Sequence, residues 1–315
     1  MRIAPRSPLP LAAAALALSV ALPLRADLPE GRIVFRSERG AGYEIYSMDS
    51  AGGDLRNLSN SPRALDDMPD WSPDGRRVVF VSTRDSNDEI YVMDADGADQ
   101  RRLTSHAGID WRPKWSPDGR HIAFMRVEGR SAAVFVMDAD GTHVRKMAGA
   151  AEAPDWSPDG DEIVYVSTED GRLYRVRSEG GGARPIGAAA SRGRATCPAW
   201  SPDGSRIAFA ARDGERSRLF VASLDRGETR RVVTAAEDAT APVWTSDGSH
   251  LIFTSGIGRR SNLYVVRADG SERRALTSGR ARDDNASWVG AESAAPRARR
   301  RPSAWGWMRQ ISLRR

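Results

Sequence analysis

A chain of 315 residues can bury a large core, enough for one big all-β domain or two smaller domains. Its 47 Lys and Arg against 42 Asp and Glu give a net charge of +5, but residues 1–26 carry +3 and residues 290–315 carry +6, leaving −4 on residues 27–289. A mildly acidic body removes the basis for nucleic-acid binding, and a single cysteine, Cys197, excludes both an internal disulfide framework and a thiolate metal cluster.

The chain opens with Arg2 and Arg6 ahead of an apolar run from Leu9 to Leu22, and Ala26 offers a small residue at a cleavage position. Residues 1–26 are therefore expected to form a secretory signal peptide. The run is short for a bilayer span, with an uncleaved N-terminal anchor as the alternative. No cysteine follows it, so lipid attachment is not expected and the protein reads as exported to the periplasm or beyond.

From residue 27 onward a repeat governs the sequence. Trp-Ser-Pro-Asp-Gly stands at 71–75, 115–119, 156–160 and 200–204, Trp-Thr-Ser-Asp-Gly at 244–248, and Trp288 follows, at spacings of 44, 41, 44, 44 and 44 residues. Asp27 lies 44 residues before Trp71, and Pro29-Glu30-Gly31-Arg32 after it mimics the later turns, which makes six units. Each unit carries four strand signals. In the second they are a stretch ending at Trp71, then Val78–Val81, Ile90–Met93 and Arg101–Thr104, all rich in β-branched or aromatic residues or bounded by turn residues. In Ser72-Pro73-Asp74-Gly75, proline presets φ, aspartate bonds nearby backbone and glycine accepts the conformation other residues resist. Asp96-Gly97, Asp140-Gly141 and Asp269-Gly270 mark hairpins between third and fourth strands.

Four-stranded units every ~40–45 residues predict an all-β, six-bladed β-propeller spanning 27–289. The first unit lacks an inner strand and residues 283–289 supply one with no unit behind it, so the C-terminal strand is expected to complete blade one and remove two open edges. The repeat Trp-Ser-Pro-Asp-Gly, Ile-Ala-Phe, Tyr-Val-Met-Asp-Ala-Asp-Gly and Arg-Arg-Leu-Thr resembles that of the TolB propeller family, over the propeller portion alone. Similar repeats accompany peptidases of the prolyl-oligopeptidase type, but no Gly-x-Ser-x-Gly occurs here. The resemblance implies a protein-binding or scaffolding module of the cell envelope, with envelope lipoproteins and the machinery linking outer membrane to cell wall as its partner class.

Candidate site residues come from the variable ends of the units, because uniform turns serve folding. Four and five residues before each tryptophan stand Asp66 and Asp67, Asp110 and Trp111, Glu152, and Asp283 and Asp284, while units five and six offer alanine and threonine. These positions are expected at one mouth of the channel, receiving a basic or polar partner segment, with Arg84 and Asn87 on the rim and Trp111 free to stack on a ligand. The acids could equally cap turns, hold Ca²⁺ as a structural ion, or serve a lyase or hydrolase acting on polysaccharide; no other cofactor is expected. Asp94–Asp99 resembles a calcium loop but lacks the later glutamate and reads as a hairpin turn. The six repeat tryptophans are expected between blades, and Cys197 as a buried, inert thiol. The tail, 290–315, holds Pro296-Arg297-Ala298-Arg299-Arg300-Arg301-Pro302 and reads as disordered, with contact to an anionic membrane through 296–315 as the alternative. A monomer is expected.

Overall fold

The computed structural model describes residues 28–40, 42–186, 193–233, 238–257 and 260–291. The expected signal peptide, 1–26, and all of the tail beyond residue 291 lie outside the described residues.

Six four-stranded antiparallel sheets stand around one axis, and no α-helix occurs among the described residues. Blade 2 shows the plan: β4 (Asp66–Trp71), β5 (Arg77–Ser82), β6 (Glu89–Asp94) and β7 (Arg101–Arg102) follow one another from the axis outward. The inner strands of blades 3 to 6 are β8 (Ile109–Trp115), β12 (Ala151–Trp156), β16 (Ala195–Trp200) and β20 (Asp238–Trp244). Blade 1 runs β24 (Asp283–Gly290), β1 (Gly31–Ser37), β2 (Glu44–Asp49), β3 (Arg56–Asn57), so the C-terminal strand closes the ring as expected. The outermost strands are two to five residues long, and five of the six carry exposed arginines, which blunts these free edges.

Each blade is covered on both faces, which explains continuous apolar runs such as Val78–Val81 instead of an alternating pattern. Phe80 and Val78 pack with Val34, Ile45 and Trp71 toward blade 1, while Val79, Ile90 and Val92 pack with Trp115 and Phe124 toward blade 3. The junction between blades 6 and 1 is equally apolar, with Ile252, Leu263 and Val265 against Ile33, Phe35 and Trp288. All six repeat tryptophans are buried in these seams.

The turns repeat at atomic detail. The Ser72 hydroxyl donates to Asp74 Oδ1 at 2.6 Å and accepts the Arg77 N–H at 2.9 Å, Asp74 accepts the Arg76 N–H at 3.1 Å, and Gly75 sits at φ +69°. The same bonds recur at Ser116/Asp118, Ser157/Asp159, Ser201/Asp203 and Thr245/Asp247. The Asp94–Asp99 segment closes the β6–β7 hairpin through Asp94 N–H to Ala98 O.

Candidate functional site

Two layers of the inner strands decide what the axis can hold. The first is the mouth formed by the residues four and five before each tryptophan. There the acids expected to face a partner are paired internally. Asp110 accepts two bonds from Arg126, at 2.7 and 2.8 Å, and its carboxylate is fully buried. Asp283 is likewise buried, bonded to Ser37 Oγ at 2.6 Å and to Arg39. Asp66 meets Arg84 at 3.3 Å, and Arg84 in turn lies over Tyr91 and donates to Ser82 and Gln100. Arg36 grips Asp284 with one edge of its guanidinium and Asp67 with the other, joining blades 1 and 2. Asn285 adds a 2.8 Å bond to Asp67, and Arg282 a 3.0 Å bond to Asp284. Burial pushes the Asp67 carboxyl up, and Arg36 opposes that shift.

The remaining expected residues fall nearby but are not gathered into one site. Glu152 pairs with Arg194 at 2.7 Å. Trp111 is half-buried and donates to Asp88, and Asn87 donates to the carbonyls of His106 and Gly108, bracing the approach to blade 3. The acids stand out in the sequence, whereas their partners Arg36, Arg39 and Arg126 do not. Arg36 is the register partner of Asp284 and Arg126 that of Asp110, so two of the acids face an arginine on the neighbouring strand.

The second layer begins three residues before each tryptophan, where every inner strand is bulged. Met68, Arg112, Ala153, Cys197, Ala241 and Asn285 all have positive φ, between 48° and 56°, and the ladder slips at each of them. In five of the six the next residue is proline: Pro69, Pro113, Pro154, Pro198 and Pro242. Proline is tolerated because the bulge asks no ladder bond of it and the inner strand has a neighbour on one side only. The left-handed backbone costs of order 1 kcal/mol at each non-glycine position, and its sixfold repetition aims six side chains along the axis.

Those six form the floor of a funnel of about 1140 Å³ that widens toward the Ser-Pro-Asp-Gly turns. Arg112 reaches across the floor from blade 3 and donates to Cys197 Sγ on blade 5 at 3.1 Å. Cys197 is thus a half-buried funnel residue instead of the buried thiol the sequence suggested, because the bulge turns it from the seam to the axis. Above the floor stands a ring of Asp70, Lys114, Asp155, Ala199, Val243 and Ser287, one per blade. Asp70 accepts Lys114 Nζ at 2.9 Å, the Trp115 N–H at 3.0 Å and Ser287 Oγ at 2.9 Å. Asp155 accepts the Trp200 N–H at 2.7 Å. Burial pushes the Asp155 carboxyl up to about 6; Lys114 and the Trp200 N–H offset part of this, and Asp70 adds to it. Lys114 is held above its ordinary value by Asp70 and Asp155, against the cost of its burial. Higher still, Pro73, Pro117, Pro158 and Pro202 line the wall.

The large concavity therefore opens at the end with uniform turns, opposite to the end with variable loops. The physical reason is side-chain length: arginines from the second strands fill the variable mouth, whereas prolines and small residues leave the turn end open.

The sequence matches the family described as the TolB beta propeller domain over residues 61–184 and 153–300. Among solved structures, TolB from Acinetobacter baumannii superposes with a TM-score of 0.72 at 22% identity, covering 82% of this chain and 67% of the other. A putative TolB from Agrobacterium tumefaciens gives 0.64 at 19% identity, over 83% of this chain and 99% of the other. The oligogalacturonate lyase of Vibrio parahaemolyticus gives 0.54 at 13% identity, over 80% and 79%, and shares the fold alone. No curated protein matches the chain.

Proposed function

The chain belongs to the TolB beta propeller domain family, and from that premise we propose that it is an exported, non-catalytic binding module of the cell envelope that receives a segment of a partner protein in its funnel. The observation that carries this reading is the funnel itself: about 1140 Å³, walled by prolines and tryptophan edges on a closed ring. Such a wall is already in its bound shape, so a partner loses only its own freedom on entering. By resemblance, the partner class is that of envelope lipoproteins.

The opposite mouth remains the rival face. Its reachable members are Trp111, Glu152 and Asp67, whereas Asp284 is buried beside Arg36 and the carboxylates of Asp66, Asp110 and Asp283 are fully buried. Affinity capture from envelope extract with the full chain separates the two. Val243→Arg places a long cation in the funnel, and Trp111→Ala removes a large aromatic side chain at the mouth. We expect the captured protein to be lost with Val243→Arg and kept with Trp111→Ala, both variants melting near the parent. The converse result moves the site to the mouth, and retention by both variants overturns the funnel reading.

A further inference from the structure

The ring above the funnel floor holds two carboxylates and one lysine. Asp70 is saturated: Lys114, a backbone N–H and a serine hydroxyl all point to it. Asp155 accepts the Trp200 N–H, and among the described residues no cationic group lies within ion-pair distance of it. The charged groups that face it are Lys114, committed to Asp70, and Asp70 itself; blade 5 contributes only the N–H of Trp200. Arg112, in the floor below, donates to Cys197 Sγ. A carboxylate that accepts one backbone N–H and shares the single Lys114 with Asp70 has room for a further cation.

Beside Asp155 the same ring is apolar, with Ala199 and Val243 on the next two blades, 5 and 6. The intervening prolines offer no N–H. The outer rim favours the same sign of ligand. Asp118, Asp203 and Asp247 are held below the ordinary carboxylate range, because bonds from the turn hydroxyls and N–H groups outweigh their desolvation. On blades 2 and 3 the residue after the turn glycine is Arg76 or Arg120, but on blades 4, 5 and 6 it is Asp161, Ser205 or Ser249. The acidic arc of the rim thus begins over Asp155, where it would steer a basic segment inward.

We infer that Asp155 anchors a basic side chain, lysine or arginine, on the segment that occupies the funnel, with an adjoining aliphatic residue seated on Ala199 and Val243. This rests on the funnel being the partner site and adds the chemistry of the partner. The anchor is this chain's own Asp155.

The test uses the full chain and three fluorescent heptapeptides that differ only in their core: Leu-Lys-Leu, Leu-Gln-Leu and Leu-Glu-Leu. Fluorescence anisotropy at pH 7.5 should show the lysine peptide binding about tenfold tighter than the glutamine peptide, with the glutamate peptide weakest. Asp155→Asn, which keeps an oxygen for the Trp200 N–H, should remove most of the lysine preference while leaving the glutamine peptide unchanged. Should that variant fail to fold, the parent protein carries the same test. Lysine-peptide affinity should fall as pH drops through about 6, where Asp155 gains its proton, and glutamine-peptide affinity should stay flat. Equal binding of all three peptides, abolished by Val243→Arg, overturns the anchor and leaves the funnel reading standing. No binding by any peptide overturns the anchor, and the envelope capture then judges the funnel independently.

Discussion

The two ends of the channel are built from the same six strands and behave in opposite ways. At the variable mouth, the acids four and five before the tryptophans of blades 1 to 3 meet arginines at or just beyond the ends of the second strands, and charge is used up in internal pairs. Two residues further along, a bulge and a proline turn the chain inward, and the space is left open. The comparison teaches that a ring of acids in sequence is no guide to an open acidic surface. What matters is whether a long cation stands opposite each acid in the strand register.

The largest test of this contrast is Asp110→Ala. It strands Arg126 at a site where the guanidinium is nearly excluded from water, and should cost about 3–5 kcal/mol, read as a lower denaturation midpoint at unchanged m. Val243→Arg, at the open end, should cost about 1 kcal/mol or less, since its side chain extends into solvent-filled space. Equal losses from the two would dissolve the distinction between a filled and an open end.

A pH titration of stability sharpens it further. Asp155 has its folded value raised above the unfolded 3.8, to about 6, so its contribution is fully present below about pH 4 and is lost as pH rises through 6. Asp155→Asn should remove about 1–2 kcal/mol of that decline between pH 4 and 8, measured as the difference in midpoint between the two proteins. Asp203 runs the other way. Its folded value is lowered to about 2, with burial opposing and the bonds from Ser201 and Ser205 prevailing, so its contribution is present above about pH 4 and lost as pH falls toward 2. Ser201→Ala, the smallest of these changes, should cost about 1 kcal/mol and remove part of that acid-side loss.

The repeat, the strand runs and the closure of blade 1 were all legible in the sequence, because each depends on local features. Trp71 and its five counterparts mark the period, Val78–Val81 shows burial on both faces, and Asp283–Val289 is an inner strand without a blade of its own. The open end was not legible, because it depends on pairing between strands. Nothing near Asp110 in sequence announces Arg126, sixteen residues later, until the hairpin register brings them together. The bulge did leave a trace: proline two residues before tryptophan, in five units, cannot sit in an unbroken ladder. That trace would have turned Cys197 and Arg112 toward the axis.

The closing strand also dictates a timetable. Arg32 pairs with Val289, so β1 keeps an unpaired edge while the five intervening blades are synthesised. Blade 1 cannot finish until the last strand arrives, and the closure of that very long loop should set the pace of folding. A chain stopped before residue 283 would lose more than one strand: it would leave the β1 edge and the apolar seam between blades 6 and 1 open to other chains.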